Sequence, residues 1–275
     1  MVHVRLAAAT AFALSLGAGA VQAQDLTIGY ITKSATNAGW QMINQGARDA
    51  AAEEGVTIVE VGPAFADDLT SQLEVFENMV SQGVDAIGIA PADSAGIAPA
   101  VTDAMAAGIP IVAIDTGVTG AEVTSFVATD NLAVAKVQGA VAATLIEDGD
   151  KIIYVTGSQA QSTGQDRRNG FIAGFSAARP GSEILEVPTE WNSEQAQVGV
   201  EALLNQHADV KMIVHAWDGG TMASIAALTN LGYAPGDVKL VGFDGASDSI
   251  AAMDQGWVHA NTAQMLYQMG YQGIK

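Results

Sequence analysis

The sequence predicts an α/β fold made of two doubly wound parallel-sheet lobes, with a hinge and an interlobe cleft. Three features carry that prediction. Short runs rich in Val and Ile alternate with stretches whose apolar residues recur at helical spacing, the pattern of parallel strands covered by helices on both faces. The alternation runs from Asp25 to Gly117 and begins afresh after TSFVATDN, which implies a second unit of the same kind. Several of the apolar runs also end in an acid next to a turn: Asp115 in IPIVAIDTG, Trp217 and Asp218 in VKMIVHAWDGG, and Asp244 in VKLVGFDG. Ligands of open α/β sheets bind in the crevice at the carboxyl ends of the strands, so acids placed there are candidate contacts.

Taken in order, the first residues are an export address rather than structure. Arg5, an apolar run from Leu6 to Ala20 and the small residues of Val21-Gln22-Ala23 read as a signal peptide over residues 1–23, giving a mature chain that begins at Gln24. The run is shorter than the roughly 18 apolar residues that a membrane anchor needs. DLTIGYITK is the first strand and TNAGW a turn, and QMINQGARDAAAEEG is a helix that stops at Gly55. VTIVEVG follows as a strand, then DLTSQLEVFENMVSQG as a helix with Asp68 at its N-cap and Gly83 at its C-cap. DAIGIAPAD, GIAPAVTDAMAAG and IPIVAIDTG add strand, helix and strand, and the first lobe is assigned to residues 24–129.

The second lobe, residues 130–264, repeats the alternation. Its helices are LAVAKVQGAVAATLIEDG, a stretch around RRNGFIAGFSAARPG, SEQAQVGVEALLNQH, GGTMASIAALTNLG and the short SDSIAAMDQG. Its strands are KIIYVTG, EILEVPT, VKMIVHAWD and VKLVGFDG. WVHANTAQ is expected to be a strand returning toward the first lobe, which residues 265–275 then help to complete.

Composition narrows the function classes. Of 275 residues 49% are hydrophobic and 15% charged, and 11 Lys and Arg face 30 acids for a formal net charge of -19. The few cations do not cluster, so nucleic acid, whose binding depends on phosphate neutralisation by Lys and Arg, is not an expected partner. The absence of cysteine removes disulfides, thiolate nucleophiles, Cys-based zinc sites and a lipidated N-terminal Cys, so the exported product is expected free in solution. His3, His207, His215 and His259 lack the spacing of metal ligands. There is no G-x-S-x-G elbow, Walker loop or H-E-x-x-H, and no G-x-G-x-x-G after the first strand, so neither an enzyme nor a cofactor is implied.

The ordered series TNAGW, APAD, AIDTG, VATDN, RRNGF, a Trp after the next strand, LVGFDG and TAQ resembles the type I periplasmic substrate-binding proteins of ABC importers, specifically the ribose/galactose/xylose cluster. It covers essentially the whole mature chain. The effector-binding domain of LacI-type repressors shares the series, but such a repressor carries a helix-turn-helix where this chain has its signal peptide. The resemblance implies a sugar site made by Asn37 and Trp40 after the first strand, Asp115, Arg167 of RRNGF, Trp191, Asp244 of LVGFDG and Gln264 of the return segment. Trp217 and Asp218 join them from the strand-end pattern. The residue types suit a sugar, because carboxylate, guanidinium and amide groups pair with vicinal hydroxyls while indoles stack on the CH-rich ring face.

Each candidate has a structural alternative. Trp40 and Trp191 are also good core residues, Asp115 and Asp244 also suit caps or turns, and Arg167 beside Arg168 also suits a solvated helix face. Asp93, after Pro91, is expected to be a cap. Ribose-binding relatives follow the fourth-strand Asp with Arg and later carry Asn-Asp, where this chain has Thr116 and Trp217-Asp218. Ribose is therefore not carried over, and pentoses, hexoses, furanoses and sugar alcohols all stay open. Lys33, Thr36 and Asn37 also make the first loop longer than the nearest pattern.

The resemblance further implies a monomeric periplasmic receptor that captures a small polyhydroxylated ligand and delivers it to a membrane ABC permease. A binding protein for a chemoreceptor or autoinducer signal has the same fold, and an exported glycosidase using Asp115 and Asp244 as acid and base is the enzyme alternative. Similar proteins continue past the Gln of the return segment with a helix, a third crossing and a final strand, so the first lobe is expected to be truncated at Lys275.

Overall fold

The computed structural model describes residues 26–34, 37–62 and 68–275, and the signal peptide expected over 1–23 lies outside them. Two parallel five-stranded sheets with flanking helices form two lobes. The first sheet contains β1 (Thr27–Ile31), β2 (Thr57–Val61), β3 (Ala86–Ile89), β4 (Ile111–Ile114) and β5 (Ser125–Val127), alternating with α1 (Ala38–Glu54), α2 (Leu69–Gln82) and α3 (Ala98–Ala106). After α4 (Asn131–Ala143) the second sheet follows with β6 (Lys151–Val155), β7 (Glu183–Val187), β8 (Val210–His215), β9 (Lys239–Asp244) and β10 (Val258–Ala263). Between and after its strands lie α5 (Ser162–Ala178), α6 (Ser193–Gln206), α7 (Asp218–Asn230), α8 (Ser247–Asp254) and α9 (Leu266–Ile274).

The strand orders are β2-β1-β3-β4-β5 and β10-β9-β8-β6-β7. Counted within its own sheet each lobe thus has the same doubly wound order, with its switch point beside the first strand, where ligands collect. Burial from both faces explains the unbroken apolar runs. Ile87, Ile89, Ile111 and Ile114 are buried in the first lobe, and Ile152, Ile153, Val155, Met212, Val214, Leu240 and Phe243 in the second. Polar signals set the helix starts: Asn37, Asp68, Asp130 and Asn192 each accept a backbone N–H of the first turn. Gly55 and Gly83 end α1 and α2 in left-handed conformation.

WVHANTAQ behaves differently from its expectation. Its strand β10 does not itself return to the first lobe; it pairs in parallel with β9 and forms the edge of the second sheet. The backbone of β9, whose Leu240, Val241 and Phe243 are buried, gains a partner that way, and Asn261 fixes the strand by accepting from Gly245 N at 3.0 Å. The return follows at residues 264–265. TSFVATDN contributes β5, whose three residues include the exposed Phe126, so no buried run announces it.

Among the described residues two segments cross between the sheets, 128–130 and 264–265, and Thr129 Oγ1 donates to Gln264 Oε1 at 2.6 Å between them. Beyond the second crossing α9 lies on α1, held by Tyr267 to Asp49 at 2.9 Å and by Tyr271 to Glu53. The helices approach so closely that a Cβ on Gly270 would collide with the Ile43 carbonyl, and one on Gly46 with the Tyr267 carbonyl. Among the described residues no helix is long and apolar enough to cross a membrane.

Candidate functional site

A cavity of about 240 Å³ opens between the carboxyl ends of the two sheets. The first lobe supplies Lys33 beyond β1, Asn37 and Trp40 at the start of α1, and Asp115 beyond β4. The second supplies Thr163 and Arg167 from α5, Trp191 from the turn before α6, Trp217 at the N-cap of α7 and Asp244 at the end of β9. Gln264 enters from the second crossing. Every candidate chosen from sequence except Asp218 thus faces one space.

The backbone marks the same wall. Asp115, Trp191 and Asp244 have φ of 65°, 59° and 118°, and among the described residues they are the non-glycine residues with positive φ. Such a conformation costs about 1–3 kcal/mol per residue and persists where the surroundings fix it, which is typical of functional walls. Missing side chains make room for the indoles. A Cβ on Gly157 would enter the Trp191 ring, and one on Gly219 would sit 2.6 Å from Trp217 Nε1. Trp191 and Trp217 meet edge to face, with centroids 5.5 Å apart.

Each lobe brings a cation and an anion. In the first, Lys33 Nζ donates to Asp115 Oδ2 at 3.3 Å and to Thr116 Oγ1 at 2.5 Å. Burial pushes the Lys33 ammonium down to about 8, against the opposing pull of Asp115. In the second, Arg167 donates through Nε to Asn131 Oδ1 at 2.8 Å and through Nη1 to the Ala216 carbonyl at 2.7 Å and Asp244 Oδ1 at 3.3 Å. Gln264 Nε2 donates to the same Asp244 oxygen at 2.7 Å. Burial nevertheless pushes Asp244 up to about 7, with Arg167 pulling the other way.

Asp218 requires a correction. It begins α7, is 2% exposed and is absent from the cavity wall. Its carboxylate accepts from Ala246 N and Asn261 Nδ2, both at 2.8 Å, and from Thr221 Oγ1 at 3.3 Å, so it anchors the turn after β9 and the edge strand β10. Its own N–H donates to Asp244 Oδ2 at 3.3 Å, which makes it a support for the wall. Trp217, the neighbouring residue, turns into the cavity instead. Asp93 caps the turn before α3 by accepting from Ala95 N and Gly96 N.

Lys33, Thr163 and Gln161 escaped sequence reasoning. Lys33 carried a usable signal, a lone cation just past the apolar TIGYI strand at the ligand end of the sheet. It also donates to Thr116, so a cation from just beyond β1 stands beside Asp115. Thr163 and Gln161 lie in a polar loop and helix start that carry no such contrast.

Relatives point the same way as the geometry. The chain is 29% identical to the D-ribose/D-allose-binding protein of Pseudomonas aeruginosa, over 90% of this chain and 80% of that protein. It is 27% identical to the D-allose-binding periplasmic protein of Escherichia coli, over 99% and 89% of the two chains. An ABC transporter solute-binding protein from Agrobacterium vitis, solved with bound D-fucose, superposes with a TM-score of 0.86 at 28% identity, covering 90% of this chain and 87% of that one. Residues 28–275 match the family described as periplasmic binding protein domain, and the chain belongs to that family.

Proposed function

We propose that the protein is an exported, monomeric receptor of the periplasm that closes its two lobes around one neutral monosaccharide or sugar alcohol and hands it to an ABC-type permease. The observation that carries this reading is the interlobe cavity itself, whose carboxylates are each paired with a cation of the same lobe and whose other walls combine the indoles of Trp40, Trp191 and Trp217 with the neutral polar side chains of Asn37, Thr163 and Gln264. With charge already balanced on each side, a ligand carrying net charge would bring an uncompensated ion into an enclosed space, whereas hydroxyl groups match the paired acceptors and donors. Contacts from both lobes exist together only when the lobes are closed, so a ligand that makes them shifts the population toward closure.

A thermal-shift screen against pentoses, hexoses and sugar alcohols tests the assignment, with uronic acids, amino sugars and sugar phosphates as charged controls. At a concentration about 100 times Kd a ligand adds about 2.7 kcal/mol, which raises Tm by roughly 5–10 °C for a chain of this size. A shift with neutral sugars and none with charged ones is expected. A shift confined to charged compounds, or none across the panel, refutes it.

Affinity should also depend on pH. A sugar hydroxyl that donates to Asp244 bonds most strongly to its ionised form, and with the group at about 7 the carboxyl is mostly protonated at pH 6 and mostly ionised at pH 8. Binding at the lower pH must therefore release a proton, and Kd is expected to rise about tenfold from pH 8 to pH 6. Calorimetry in two buffers of different ionisation enthalpy reads both the change in Kd and the proton. A flat profile would mean that the ligand does not favour the ionised carboxylate.

A further inference from the structure

Gln161, the residue before α5, is buried where the lobes meet, and its side-chain amide is bonded on both sides of the cleft. From the first lobe Lys33 Nζ donates to Gln161 Oε1 at 2.5 Å, and Gln161 Nε2 donates to the Ala92 carbonyl at 3.0 Å. From the second lobe the Trp191 indole donates to the same Oε1 at 2.8 Å. Lys33 meanwhile donates to Asp115 and Thr116, so the three donors of its ammonium are matched by three protein acceptors.

We propose that Lys33 and Gln161 are positioning residues that fasten the two cavity walls to each other, setting Asp115 and Trp191 for the ligand and favouring lobe closure through bonds the ligand does not make. The inference rests on the closure reading above. Direct bonds beside the amide act in the same direction: Ser94 N donates to the Ala160 carbonyl at 3.0 Å, Ser162 N to Ser94 Oγ at 2.9 Å, and Gly117 N to Ser162 Oγ at 2.9 Å. All of them join β3–α3 and β4–β5 segments of one lobe to the β6–α5 segment of the other.

Neither residue has to touch the ligand for this. A saturated ammonium has no donor left for a sugar hydroxyl, yet it keeps Asp115 in place. The amide that receives it also orients the Trp191 indole, so a disturbance at either residue reaches both walls. Binding then draws on a closed fraction set in advance by protein bonds, and affinity scales with that fraction.

The test reads the interlobe distance without ligand. The chain has no cysteine, so Asn78→Cys on α2 and Val198→Cys on α6, both exposed, accept spin labels at those two places alone. Pulsed electron resonance on the ligand-free wild type is expected to show a dominant short distance. Gln161→Ala, which removes its bonds to both lobes, is expected to move the closed-to-open ratio toward open by roughly tenfold or more. Lys33→Met shifts it in the same direction by less, and Gln161→Glu, which keeps the acceptor for Lys33 and Trp191, retains most of the short distance.

Equal distributions in wild type and Gln161→Ala overturn the proposal. So does a Gln161→Glu variant as open as Gln161→Ala. Should Gln161→Ala fail to fold, Ser162→Ala removes one interlobe bond from outside the cavity wall and must shift the ratio the same way, and no shift overturns the proposal. Because the distances are read without sugar, a failed sugar screen with the shift present removes the ligand assignment alone, while binding with unmoved distances removes the positioning role alone.

Discussion

Replacing Arg167 by Met is expected to destabilise the fold by about 3–5 kcal/mol and to lower ligand affinity at least about 100-fold. The side chain is 4% exposed, and its guanidinium lies 4.1 Å from the Phe243 ring centroid. Methionine preserves much of the apolar stem but none of the donors. The Ala216 carbonyl and Asn131 Oδ1 then lose their partners inside the second lobe, and each stranded buried acceptor costs about 1–3 kcal/mol. Asp244 behaves differently, because burial already holds it near pH 7 and without the cation it takes up a proton instead of remaining a bare charge. The loss is thus in hydrogen bonds rather than in a naked carboxylate.

Two measurements separate these contributions. Urea unfolding gives the stability loss, and adding Asp244→Asn to Arg167→Met is expected to recover less than about 1 kcal/mol of it. A larger recovery would show that Asp244 stays ionised beside the methionine. Calorimetry gives the affinity loss, which has two causes: the guanidinium is gone, and the carboxylate that a hydroxyl would pair with is protonated.

How far this site was legible in the sequence depends on contrast. Asp115 and Asp244 stand out because each closes a Val- and Ile-rich run, and a strand inside a parallel sheet can end in an acid only where the sheet meets solvent or ligand. The same rule misplaced Asp218. Its neighbour Trp217 has extended backbone, φ -161° and ψ 159°, and takes the cavity side, which leaves the acid to start α7 and point beneath the wall. Spacing alone does not distinguish two adjacent residues that point opposite ways. Arg167 needed the family pattern, since a buried arginine and a solvated one look alike in RRNGF, and the structure splits the pair: Arg167 turns inward while Arg168 forms an outer pair with Glu186. Gln161 was invisible because its importance lies in a contact made across the cleft, between residues far apart in the chain.

The fold was more readable than the site, because caps and periodicity act locally. Asn37 is both a cap and a wall residue: its Oδ1 accepts from Trp40 N at 3.2 Å, so one side chain starts α1 and brings Trp40 to the cavity. β5 and β10 were harder. Each is an edge strand with one neighbour, buries little, and is defined by pairing to a strand whose position the sequence does not state.

Asp115→Asn is expected to abolish high-affinity binding while leaving the fold nearly intact, the reverse balance to Arg167→Met. Asparagine tolerates the left-handed conformation that Asp115 adopts at φ 65°, so the turn after β4 survives the change. What disappears is the negative charge. A carboxylate that accepts from two vicinal hydroxyls makes charge-assisted bonds worth about 1.5–3 kcal/mol each, so affinity should fall by about 100-fold or more. Lys33 limits the damage to stability. Its ammonium already sits near 8 with Asp115 pulling it upward, and without that pull it drops lower, so the proton is given up more readily. A lysine can shed its charge in this way where an arginine cannot. It still has Thr116 and Gln161 as partners. The stability cost in urea is therefore expected to stay under about 2 kcal/mol at pH 7. A loss above that would mean that Lys33 keeps its proton in the variant, and unchanged affinity would remove Asp115 from the ligand contacts.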